Sequence, residues 1–297
     1  MRSIFQCDPR GGHNRYKCNF DFFKKWTNEM AYALGFLYAD GAIINAISSR
    51  TQYIQFNNTD KELLEKIKTA LNSEHPIRVL PPHLTVHKNG TYKSAESFIL
   101  RIGSRRMFKD LTRLGVTPAK SKTITFPEVP LSCLHHFIRG YFDGDGCVYL
   151  QLAKGKTQKT IIKKLSVIFT SGSKIFLEGL SSNVRKIVNL KQEKVYDSHY
   201  AYQLRYPTSD SIKLFKFFYK DIRQNIYMER KFKIFLRYFL LRPLKIDKDI
   251  KNILKNLNYG HVAKKQTLRS AKPLYVGANP TVASNFARVL EWQTKWA

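Results

Sequence analysis

Two hydrophobic periods alternate along this chain, and the alternation runs through twice in the same order. Residues 33–41 read ALGFLYADG and residues 138–146 read IRGYFDGDG, both of the form x-x-Gly-aromatic-apolar-x-small-Asp-Gly. The stretch before the second Asp-Gly places Leu134, Phe137, Ile138 and Tyr141 at helical spacing. This predicts a helix with one apolar face. After Gly41 come two apolar stretches, AIINAI and YIQF. A helical segment follows from Asp60, with Leu63, Leu64, Ile67 and Leu71 on one side and Asp60 as its N-cap. After Gly146 come CVYLQL and LSVIF, where Leu165, Val167 and Phe169 alternate, then a helix from Ser173 with Ile175, Phe176, Leu180 and Val184. A second pair of strands is expected in each unit, carrying Phe98, Leu100 and Ile102 in the first and Tyr200, Tyr202, Leu204 and Tyr206 in the second. Helices at roughly 105–114 and 209–220 close the units.

Each half therefore reads helix, two strands, helix, two strands, helix. The fold class expected is α+β, an antiparallel sheet with helices on one face of each unit. The boundaries predicted are an N-terminal arm 1–28, a first half 29–117, a linker 118–131 punctuated by Pro118, Pro127 and Pro130, a second half 132–242, and a basic extension 243–297 that fits neither half.

Charge narrows the class of partner. The chain carries 51 Lys+Arg against 22 Asp+Glu, a formal net charge of +29. Such an excess repels itself in a compact chain and points to a polyanion. The basic residues are spread over the whole length, which favours nucleic acid over a membrane surface. No run of 18 apolar residues is present, so no membrane span is expected, and the first twelve residues, MRSIFQCDPRGG, lack a hydrophobic signal region. The four cysteines, Cys7, Cys18, Cys133 and Cys147, form no CxxC pair, which suggests free thiols in a reducing, intracellular compartment. Cys7, His13 and Cys18 offer only three zinc donors at a non-standard spacing.

The repeat also suggests chemistry. Gly140 and Gly144 lie four apart, as do Gly35 and Ala39 in the first copy, so two such helices can approach closely. If they pack together, Asp40 and Asp145 sit at adjacent tips. Two carboxylates there repel each other and face the negative helix ends, which a hard cation such as Mg²⁺ would relieve. An Asp-Gly after an apolar helix is also an ordinary stop signal. Two copies with the same grammar in so basic a chain favour a phosphodiester-cleaving site.

ALGFLYADG and IRGYFDGDG resemble the two motif copies of the LAGLIDADG homing endonuclease family, in its single-chain, two-motif form. The phrase LGVTPAKSKTITFPEVP leading into HHFIRGYFDGDG adds to the likeness, which covers residues 29–242. The resemblance implies an αββαββα fold in each half, a saddle of two antiparallel sheets on DNA, and motif helices at the interface between halves. It implies that Asp40 and Asp145, with Gly41 and Gly146 after them, hold catalytic Mg²⁺ or Mn²⁺. Tyr38 stands where many members have an acidic residue; the second copy has Asp143. A lysine after the third helix of each half is implied, assigned to Lys122 and Lys231, with Lys120 and Arg230 as close competitors. Asn58 and Ser171 align with water-positioning residues.

Base-reading side chains are expected on the strands: Gln52, Gln55, Gln151, Gln203 and Arg205 are of suitable type, although a register shift of one residue would exchange their faces. Lys154, Lys156, Lys159, Lys163 and Lys164 between the first two strands of the second half suggest a phosphate-clamping hairpin tip. His135 and His136 lack the flanking pattern of a histidine-based nuclease and are expected on the helix surface. The function expected is site-specific cleavage of duplex DNA at a long asymmetric site by a monomer, promoting mobility of a host intron or element. The alternatives are an RNA-binding maturase acting on intron RNA and a non-catalytic DNA-binding regulator.

Overall fold

The computed structural model describes residues 16–46, 51–87, 90–154, 160–198, 201–222 and 226–260. Helix α1 (Asn28–Ala39) starts where the Thr27 side chain accepts the Met30 N–H at 3.1 Å. Strands β1 (Gly41–Ala46) and β2 (Thr51–Asn58) follow, then helix α2 (Lys61–Ala70), whose N-terminus is capped by Asp60 as expected. Next come β3 (Ile77–Leu80), a hairpin of β4 (Leu84–His87) and β5 (Gly90–Lys93), then β6 (Ser97–Gly103) and helix α3 (Arg105–Arg113). The spacing predicted two strands between α2 and α3. Four are present, because the β4–β5 hairpin forms a separate two-stranded sheet.

The second half repeats the order. Helix α4 (Leu131–Asp145) leads into β7 (Gly146–Lys154) and β8 (Thr160–Ser171), then helix α5 (Lys174–Val188), capped by Ser173. Strands β9 (Val195–Asp197) and β10 (Tyr202–Tyr206) and helix α6 (Thr208–Tyr219) complete it. Both sheets are four-stranded and antiparallel, in the equivalent orders β1-β2-β6-β3 and β7-β8-β10-β9. Their registers also correspond: Gly41 lies opposite Phe56, and Gly146 opposite Phe169. The protein is thus two αββαββα halves. Helix α7 (Glu229–Leu241) then packs along β7. Helix α8 (Lys248–Asn256) packs on α6, where Lys216 pairs with Asp247 and Asp249. The basic tail beyond 260 lies outside the described residues.

Helices α1 and α4 form the seam between halves. Neither is amphipathic in place: Met30–Tyr38 and Cys133–Asp143 are buried without interruption. The expectation of one apolar face is corrected, because each helix meets its own sheet on one side and the other helix on the opposite side. A methyl group on Gly35 would collide with the Phe137 carbonyl, and one on Gly140 with the Tyr32 carbonyl. A methyl on Gly144 would run into the Ala39 side chain. Small residues at these positions set the approach, as the four-residue spacing predicts.

His135 and His136 are also corrected from helix surface to core, at 3% and 1% exposure. Burial pushes His135 down to about 3 and His136 to about 2, so both rings are neutral. The contact of 3.5 Å between His135 and Asp221 is therefore not an ion pair at neutral pH. Among the described residues no helix is long and apolar enough to cross a membrane. Cys18, Cys133 and Cys147 are free thiols; Cys7 and His13 lie outside the described residues.

Candidate active site

Asp40 terminates α1 and Asp145 terminates α4. The close crossing at Gly144 and Ala39 brings the two tips together. Burial raises the Asp145 carboxyl to about 7, and the Asp40 charge pushes in the same direction. Burial also raises Asp40, against the opposing effects of Lys231, Asn58 and Lys120. The Asn58 side chain donates to Asp40 Oδ2 at 2.8 Å. Among the described residues no group donates a hydrogen bond to Asp145. Each carboxylate also faces a helix C-terminus, which disfavours negative charge.

Two buried lysines offset this. Lys231, near the start of α7, reaches the end of α4, with Nζ at 2.6 Å from Phe142 O, 2.8 Å from Asp143 O, 3.3 Å from Gly144 O and 2.5 Å from Gly146 O. An ammonium has three N–H donors, so these orphan helix-end carbonyls share them. Burial lowers Lys231 to about 8. In the first half the matching group is Lys120, whose Nζ donates to Ala39 O at 3.0 Å. Burial lowers Lys120, and Asp145 and Asp40 oppose that shift. The structure thus places Lys120, rather than Lys122, at the end of α1. Lys122 is exposed at the end of the same 3₁₀ turn, Lys120–Lys122, while Lys120 turns inward. A three-residue turn aims successive side chains in different directions, so only one of the two can enter the seam.

The donor set suits a hard divalent ion. Two close carboxylates, one without a donor and held up to about 7, form a site whose unfavourable charge a cation would neutralise. Asp40 and Asp145 would hold it; the Gly146 carbonyl, expected beside them, instead accepts from Lys231 Nζ, and nothing places the Gly41 carbonyl there. Among the described residues no group of three or more His, Cys, Asp or Glu side chains clusters as a metal site. Water or phosphate oxygens would have to complete the coordination, as is usual for Mg²⁺.

The sequence family described as the LAGLIDADG-like domain matches residues 132–217. The match runs from the start of α4 into α6. Similar solved structures include the homing endonuclease I-WcaI bound to its DNA recognition sequence, 16% identical, covering 66% of this chain and 84% of that one, with a TM-score of 0.46. Another is the LAGLIDADG meganuclease I-CpaMI bound to uncleaved DNA, 12% identical, covering 81% and 99%, with a TM-score of 0.47. A third is the I-LtrWI LAGLIDADG homing endonuclease bound to target DNA, 15% identical, covering 83% and 98%, with a TM-score of 0.46. No curated protein matches.

Sheet register sorts the remaining candidates around the two motif helices. Ile54 and Phe56 point to the core, so Gln55 lies on the opposite, outer face of the first sheet. There Gln55 Oε1 accepts from Arg101 Nε at 3.1 Å and Nη2 at 2.8 Å, and the Arg101 guanidinium lies over the Tyr53 ring. In the second sheet Val167, Phe169 and Leu204 point inward, which leaves Gln151, Lys164, Gln203 and Arg205 on the outer face. Gln52 is corrected: it shares the parity of Ile54 and donates to Asn45 Oδ1. Asn58 and Ser171 are likewise inward, buried at equivalent strand ends beside the carboxylates rather than on the outer face. Lys156 and Lys159 lie outside the described residues, as do the side chains of Lys154 and Lys163.

Three functional contacts had no sequence reading. Asp143 Oδ2 accepts from the Tyr32 hydroxyl at 2.7 Å and the Met228 N–H at 2.8 Å. The Tyr38 hydroxyl, at the equivalent motif position, donates to Leu114 O at 2.6 Å. Arg139 is wholly buried and donates to Phe218 O at 2.6 Å and Ile226 O at 3.1 Å. Arg139 can only donate, so His136 Nδ1, 2.9 Å from Nη2, accepts and carries its proton on Nε2. An arginine inside an apolar helix was the one available signal.

Proposed function

We propose that the protein is an endonuclease that hydrolyses duplex DNA with a divalent metal, Mg²⁺ or Mn²⁺, held by Asp40 and Asp145. The observation that carries this reading is the pair of buried carboxylates at adjoining helix tips, each tip also capped by a buried lysine. A pure binding protein gains nothing from buried carboxylates beside phosphates.

When bound, the metal supplies Lewis acidity and neutralises charge at the scissile phosphate. The chain supplies the rest. Burial works against the charged form of both carboxylates while Lys120 and Lys231 favour it, and Asn58 orients Asp40. Hydrolysis forms a bond from a water oxygen to phosphorus and breaks one P–O ester bond, so negative charge grows on the phosphoryl oxygens. Lys231, at about 8, is a fixed positive charge next to that growth. Lys120 plays the same part in the first half, with one backbone carbonyl as partner rather than four. The outer sheet faces carry Gln55, Arg101, Gln151, Gln203 and Arg205, side chains able to pair with base edges in a major groove. The net charge of +29 suits the phosphate backbone and predicts salt-sensitive binding.

The test is cleavage of a randomised duplex library with Mg²⁺, beside the Asp40→Asn/Asp145→Asn double variant. Cuts enriched at one long asymmetric site, absent from the double variant and without metal, support the endonuclease and its role in mobility. Salt-sensitive binding without any cutting would remove the endonuclease reading in favour of a maturase or regulator.

A further inference from the structure

We infer that Tyr38 and Asp143, the paired motif positions two residues before the carboxylates, are positioning residues that set the two buried lysines. The inference rests on the endonuclease reading for its consequence in cleavage, but not for its structural content.

The two side chains differ chemically yet do the same thing. Each leaves its motif helix and grips the backbone that follows the third helix of its own half. Tyr38 donates its hydroxyl to Leu114 O, the C-cap of α3. The chain then turns at Gly115, φ +88°, where any side chain would strike the Tyr38 hydroxyl, and reaches Lys120. Gly115 is thus required both for its backbone conformation and for room beside Tyr38. Asp143 accepts from the Met228 N–H, three residues before Lys231. The same oxygen accepts from Tyr32, on the motif helix of the other half. Arg139, one turn earlier on α4, holds Phe218 O near the end of α6 and Ile226 O in the connection, two residues before the Met228 that Asp143 holds. Each lysine then returns to the end of the helix that carries its anchor.

The hydrogen bonds assign a specific role to one oxygen. Asp143 Oδ2 takes both bonds and Oδ1 has no partner. An asparagine can keep both through its single oxygen, so Asp143→Asn removes the charge and retains the anchor. Asp143→Ala removes both. Tyr32→Phe removes the other bond to Asp143 and leaves Met228 held.

The first measurement is competitive lysine acylation of the full chain, read by mass spectrometry. Asp143→Ala is expected to raise Lys231 reactivity by about tenfold or more, the scale of a lost supporting contact. Lys120 should stay at the wild-type rate. Tyr38→Phe should do the reverse. Tyr32→Phe should leave Lys231 as in wild type, and Asp143→Asn, which removes only the charge that supports the Lys231 ammonium, should raise its reactivity less than Asp143→Ala. The second measurement is single-turnover cleavage of both strands of a duplex site. Asp143→Ala and Tyr38→Phe should each lower the rate without changing half-saturation, and accumulate nicks in opposite strands. Unchanged lysine reactivity in Asp143→Ala overturns the inference, as does equal exposure of both lysines. Equal Lys231 reactivity in Asp143→Asn and Asp143→Ala also overturns it, since charge rather than anchoring would then be responsible. A wild-type protein that cuts nothing defeats the endonuclease reading, while the acylation result still decides this one.

Discussion

Asn58 donates its side-chain amide to Asp40 Oδ2 at 2.8 Å, while Ser171, at the matching strand end, accepts instead from the Ser173 N–H. The two half-sites are therefore not equivalent. A hydrogen bond to a buried carboxylate contributes about 2 kcal/mol while that carboxylate is charged and about 1 kcal/mol once it is protonated. Asn58→Ala is expected to lose about that much stability at pH 8 and less at pH 4, measured by urea unfolding. The same loss at both pH values would mean the bond to Asp40 contributes nothing.

Lys120 and Lys122 are two residues apart and separate cleanly by substitution. Lys120→Met should slow single-turnover cleavage about a hundredfold, the scale of losing one stabiliser of developing charge. Lys122→Met should leave the rate near wild type, because its side chain is exposed. Loss of cutting on changing Lys122 alone would reverse the assignment.

The raised Asp145 carboxyl has a definite sign in stability. Folding favours its protonated form, so the stability it confers is complete below 3.8, its unfolded value, and is lost as pH rises to about 7. That change is on the order of 4 kcal/mol. Metal-free Asp145→Asn should therefore be more stable than wild type at pH 8 and similar at pH 4, by differential scanning calorimetry. Mg²⁺ should stabilise wild type more at pH 8 than at pH 6, since protons compete for the same oxygens. A variant no more stable than wild type at pH 8 would refute this reading of the carboxyl pair.

At the seam, Gly35→Ala and Gly140→Ala each push a methyl into a backbone carbonyl, which cannot rotate away. Each should cost about 3 kcal/mol or more in urea unfolding. Gly144→Ala meets a side chain instead, that of Ala39, so adding Ala39→Gly should recover part of its loss. A double-mutant cycle with no coupling would mean the two residues do not touch.

Much of this was legible along the chain. The nine-residue repeat located α1 and α4 and named Asp40, Asp145, Gly35 and Gly140, because local spacing alone determines which residues share a helix end or stripe. Asp60 was readable as a cap, and Ser173 as a helix start, for the same reason. Lys120 against Lys122 was not, since a 3₁₀ turn places neighbours on different sides and composition does not say which enters. The faces of Gln52, Asn58 and Ser171 depended on register, which pairing with a distant strand decides. The burial of His135 and His136 followed from packing against residues far away in sequence, Phe217 and Asp221 beside His135 among them.

By itself the sequence determined the repeat, the element order of the second half and, apart from the β4–β5 hairpin, of the first, the close helix pair and the two carboxylates, all consequences of periodicity and side-chain size within about ten residues. Only the tertiary structure decided what surrounds those carboxylates. Lys120, Lys231, Asn58 and the anchors Tyr38 and Asp143 meet the motif tips across separations of 18 to 89 residues. Contacts of that length are chosen by how two halves close on each other, and buried charges are held only where that closure supplies their partners.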